Sequence, residues 1–156
     1  MRRVLALLCI ASSVGLLGIP AAGAARTSVN GTGSYEKLVV INGTKNLVFK
    51  ISAPGGECDI KYLQVDFRDR DGTRYSVEAG CYPGSTWAAN LVRGENIVAC
   101  DGFSLRFNED TSVWTATIPR TCLKRLGAAV KVTYSSVDDY SPNVNEVSGT
   151  PYVAQG

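Results

Sequence analysis

Cys58, Cys81, Cys100 and Cys122 carry the most latent chemistry in this chain, and no histidine accompanies them. A cysteine can attack an electrophile, ligate a metal or pair with a second cysteine. As a nucleophile it needs a base beside it, and imidazole is the commonest one. As a structural zinc ligand it usually comes in C-x-x-C pairs, and no two of these four are that close. Crosslinking is therefore the expected role, and four thiols allow three connectivities. Pairing of neighbours, Cys58 with Cys81 and Cys100 with Cys122, is expected because each pair brackets one β-hairpin. In the chain-entropy picture each closed loop of about 20 residues contributes roughly 3 kcal/mol.

The carboxylates offer a second chemistry. Asp66, Asp69 and Asp71 precede Gly72, which resembles part of a calcium loop. Calcium takes about six to eight oxygen ligands. The EF-hand pattern needs a distant glutamate that is missing here, and Arg74 follows instead. Aspartate and glycine are also preferred turn formers, so a solvated hairpin turn is expected and no metal or cofactor. Glu109-Asp110 and Asp138-Asp139 are adjacent acids, and adjacent strand residues point to opposite faces. They do not by themselves make the facing pair that glycoside hydrolysis requires. No G-x-S-x-G elbow occurs. A non-catalytic protein is the expectation.

Aromatic side chains offer a third. Tyr82 and Trp87 flank a turn-rich stretch and are the candidate ligand-binding residues, able to form a small platform for a sugar ring or a peptide if both are exposed. The plainer expectation is loop aromatics folded over a sheet edge. Trp114 shares a strand face with Ala116 and Ile118 and is expected in the core. Asn30-Gly31-Thr32 and Asn42-Gly43-Thr44 match the N-glycosylation sequon.

Short strands must position these groups. Residues 38–41 and 47–51 are β-rich runs around Asn42-Gly43, a strong hairpin signal. Leu63, Val65 and Phe67 alternate with polar residues, as do Tyr75 and Val77 after the turn at 69–72. Further strands are expected over 86–92, 96–99, 103–107, 113–118 and 129–134, with Val130, Val132 and Tyr134 on one side. One helical turn is expected between Arg120 and Leu126. This spacing predicts an all-β, single antiparallel β-sandwich, Ig-like or jelly-roll-like, of about eight strands with two disulfides.

Met1-Arg2-Arg3, the apolar run to Leu17 and the small residues 21–25 read as a secretory signal peptide over 1–24. Cys9 would leave with it. A flexible lead-in over 25–34 and a β-sandwich domain over 35–156 are expected to follow. The chain has 16 basic and 14 acidic residues; without Arg2 and Arg3 the balance is 14 against 14. With no net charge and no basic stripe in the sequence, neither nucleic acid nor an anionic membrane is an expected partner.

Three segments resemble a family of uncharacterised small secreted proteins of actinobacteria. They are residues 38–51 with the central Asn-Gly, the run from Gly80 through Cys81, Tyr82 and Pro83 to Trp87, and Cys100 through Cys122 with its Ile118-Pro119-Arg120-Thr121-Cys122 ending. The resemblance implies a β-sandwich with a cysteine pair at Cys100 and Cys122, and no activity; Cys58 and Cys81 are additions to the pattern. The expected function is a secreted binding or scaffold module for an unknown extracellular ligand. The alternatives are a carbohydrate-binding module using exposed aromatics and a small secreted protease inhibitor.

Overall fold

The structure, a computed structural model, describes residues 23–32, 35–53, 62–81, 88–138 and 145–156. In chain order its strands are β1 (Ala25–Asn30), β2 (Lys37–Asn42), β3 (Asn46–Ser52), β4 (Tyr62–Asp69), β5 (Arg74–Gly80), β6 (Ala88–Arg93), β7 (Asn96–Ile97), β8 (Ser104–Asn108), β9 (Val113–Pro119), β10 (Val130–Asp138) and β11 (Asn145–Val147). A 3-10 turn at Arg120–Cys122 follows β9. The strands form two antiparallel sheets, ordered β1-β2-β3-β9-β8 and β11-β10-β4-β5-β6-β7. Among the described residues no helix is long and apolar enough to cross a membrane. Cys58 and the segment read as an export signal up to residue 22 lie outside the described residues.

Period-two patterning explains the layers. Leu47, Phe49 and Ile51 of β3, Leu63, Val65 and Phe67 of β4, and Trp114, Ala116 and Ile118 of β9 are all buried. Fully burying one such side chain is worth about 1.5–3 kcal/mol. The two inward faces share one core. Phe49 of the first sheet meets Phe67 of the second with ring centres 5.0 Å apart, and Phe67 stacks on Tyr75 at 5.9 Å.

Three local expectations need correction. Residues 25–30, expected as a loose lead-in, form β1 and pair along the whole of β2. The alternation expected for Val130, Val132 and Tyr134 breaks at a bulge between Val132 and Tyr134, which places Tyr134 opposite Asp66 and turns Ser135 and Val137 inward. A bulge inserts one residue and so exchanges the faces of those that follow. Asn42-Gly43 is not the centre of a two-residue turn, since neither residue has the positive φ that turn needs. Asn42 instead ends β2 opposite Leu47, and the loop runs from Gly43 to Lys45.

The sides of the two-sheet body are closed differently. On the β1 and β11 side, Thr32 and Glu146 exchange hydrogen bonds of 3.1 and 3.2 Å. On the β7 and β8 side, the Cys100–Cys122 disulfide ties the loop after β7 to the end of β9, with Cα atoms 5.4 Å apart. Within the core the Tyr35 hydroxyl bonds Ser135 Oγ at 2.8 Å, and that hydroxyl donates onward to the Gln64 carbonyl at 3.0 Å.

Candidate functional site

Along β6 every second residue faces the core, so Ala89, Leu91 and Arg93 share the inward side. Gly94, at φ 62°, ends the strand there. A half-buried guanidinium is thereby delivered to the mouth between the sheets, 5.9 Å above the ring of buried Tyr75. An open groove of about 480 Å³ lies there, lined by Tyr75, Arg93, Asp101, Cys122, Lys124 and Arg125 among others. The disulfide forms part of its wall. A second groove of about 670 Å³ shares Arg93 and Val98 and continues to Thr73, Arg74 and Asn96. Among the described residues none of Arg74, Arg93, Lys124 or Arg125 is in an ion pair.

The strand registers also gather cations that the sequence keeps apart. Lys131 of β10 lies opposite Arg68 of β4, and Arg68 lies opposite Arg74 of β5. Their neighbours Val130, Val132, Phe67, Asp69 and Tyr75 are buried, so all three project from the outer face. Arg70 and Lys131 lie 5.1 and 5.4 Å from the ring centre of Tyr152. A basic row therefore exists where the sequence shows only scattered charges, and the expectation of no basic stripe is corrected.

The aspartates that resemble part of a calcium loop are dispersed. Asp66 faces outward, and the Gln64 amide nitrogen lies 3.0 Å from each of its oxygens. Asp71 is exposed in the turn. Asp69 is buried, with the Thr73 and Gly127 backbone amides each donating to one of its oxygens at 2.8 Å. Burial pushes its carboxyl up, but these amides outweigh that and hold it below the usual carboxylate range. Asp69 closes a turn and anchors the 127 loop, with neither oxygen turned to solvent as a hairpin tip would have it.

Asn42 is likewise not the exposed sequon residue that glycosylation requires. It is fully buried; its side-chain nitrogen donates to the Ala128 carbonyl at 2.9 Å and the Val153 carbonyl at 2.7 Å. Its oxygen accepts from the Arg120 guanidinium, which also bonds the Gly43 carbonyl. Asn30 of the other sequon is exposed. Tyr82 and Trp87 lie outside the described residues. Cys81 is buried and disulfide-bonded. Trp114 is in the core, as expected. Glu109 and Asp110 are exposed in the β8–β9 turn.

Sequence reasoning missed the mouth. One signal was available: Arg93 continues the inward phase of Ala89 and Leu91, which is an unusual place for a cation. The companions that complete the groove come from distant segments. No protein-family model and no curated protein matches the chain.

Proposed function

We propose that this chain is a secreted, non-catalytic β-sandwich binding module, Ig-like or jelly-roll-like, stapled by Cys58–Cys81 and Cys100–Cys122, and that its ligand enters the mouth at Arg93. The export signal read from residues 1–24 and the disulfide support an extracellular setting. Arg93 carries the binding reading: a half-buried guanidinium, stacked on Tyr75, that lines two adjoining grooves without a carboxylate partner. A guanidinium is a fork of hydrogen-bond donors with no acceptor, so it recruits an acceptor from its ligand. Lys124 and Arg125 add positive charge, and the ligand presents an anionic group to them.

The test is retention of the mature chain on immobilised cellulose, polygalacturonate and polyphosphate. Wild type is expected to be held by a charged polymer, and Arg93→Ala to elute markedly earlier. Passage through all three, or elution of Arg93→Ala with wild type, would overturn the reading. Turnover on a broad hydrolase substrate panel would do the same. No observation among the described residues favours the carbohydrate-binding or protease-inhibitor alternatives.

A further inference from the structure

We propose that Lys131, Arg68 and Arg74, on the outer face of the six-stranded sheet, form a phosphate-binding site continuous with the Arg93 groove. The inference rests on the reading of this end of the molecule as the binding end, and it names the ligand chemistry.

Like charges placed directly opposite across strands are destabilising. Here three cations stand side by side on β10, β4 and β5, neighbouring strands set about 4.8 Å apart. Among the described residues none of the three is in an ion pair. The nearest acid on this face of β4, Asp66, is engaged by Gln64. Among the described residues Arg68 Nε is buried and has no hydrogen-bond partner, an orphaned charged donor in the middle of the row. A buried donor left unpaired costs free energy, so a turn of the Arg68 guanidinium outward to an acceptor from outside the chain relieves it.

The shape of the row selects that acceptor. Side chains from adjacent strands can converge on one group, and these three supply two guanidinium forks and an ammonium. A planar carboxylate has two oxygens, which one guanidinium already satisfies in bidentate fashion. A tetrahedral phosphate offers more acceptor oxygens and carries more charge per group. The Tyr152 ring holds Lys131 in place from one side. Arg74 also lines the groove that contains Arg93, so a chain of phosphates can run from the row into the mouth.

Titration calorimetry with inorganic tripolyphosphate at low salt tests the site. Wild type is expected to bind, with affinity falling as salt rises. Arg68→Gln and Lys131→Gln should each weaken binding about tenfold or more, the loss expected for a charge-assisted hydrogen bond. Arg74→Gln, at an exposed position, repeats the test without touching the half-buried Arg68 stem. Lys37→Gln, at the far end of the first sheet, should bind like wild type. Without ligand, Arg68→Gln should melt no lower than wild type, because it relieves a like-charge row. Absent binding, equal loss in Lys37→Gln, or equally tight binding of trigalacturonate would overturn the proposal. Retention on polygalacturonate through Arg93, with no uptake of tripolyphosphate, would overturn it while leaving the binding-module reading intact.

Discussion

Asp69 takes an inward position on β4, where an ionised carboxylate is tolerated only if its oxygens are satisfied. The amides of Thr73 and Gly127 supply that satisfaction. Its folded pKa lies below the ordinary value of 3.8, so the carboxylate's contribution is fully present above that value. It is lost as pH falls through the lowered folded value. Asp69→Asn should cost about 1–3 kcal/mol at neutral pH and shrink the acid-induced loss of stability below pH 4. Melting temperatures from pH 2 to 7 would check this; parallel curves for variant and wild type would sink it. Asp69 shares the register of Leu63, Val65 and Phe67, yet its residue type pointed to a solvated turn and hid that inward phase. Its partner Gly127 was not legible, because 58 residues separate them and only the fold brings them together.

At the scale of elements, alternation revealed the faces of β4, β5 and β9 because each has three buried apolar residues in phase. β1 was illegible for the opposite reason. Its sequence Ala-Arg-Thr-Ser-Val-Asn offers only Ala25 and Val29 to the core, and the strand exists through its ladder with β2. The β10 bulge was hidden because one inserted residue leaves no compositional trace. Cys100–Cys122 was legible from its bracketing of a hairpin. Replacing both cysteines with serine should lower stability by roughly 3 kcal/mol in denaturant melts under oxidising conditions. Unchanged midpoints would show that the crosslink constrains nothing. The crosslink also walls the Arg93 groove, so the same variant should lose part of its retention on a charged polymer.

Over the whole molecule, cations meet at one end although residues 25–156 carry 14 basic and 14 acidic residues. Arg68, Arg74, Arg93, Lys124, Arg125 and Lys131 gather at one end, outnumbering Asp71 and Asp101 there. The cations come from four strands and a loop, which is why a linear reading found no stripe. Net charge speaks to solubility and long-range steering; where charges meet is decided by register. The burial of Asn42 bears on how the protein is best produced. A eukaryotic secretory host glycosylates nascent Asn-X-Thr sequences, and an oligosaccharide on Asn42 would occupy the nitrogen that holds the Ala128 and Val153 carbonyls. Chains so modified would fail quality control. Exposed Thr44 can be changed without disturbing that contact, so Thr44→Ala should raise the secreted yield from yeast several-fold, leaving Asn30 to carry any glycan. Equal yields would mean that the transferase never reaches Asn42 before the sheet closes over it.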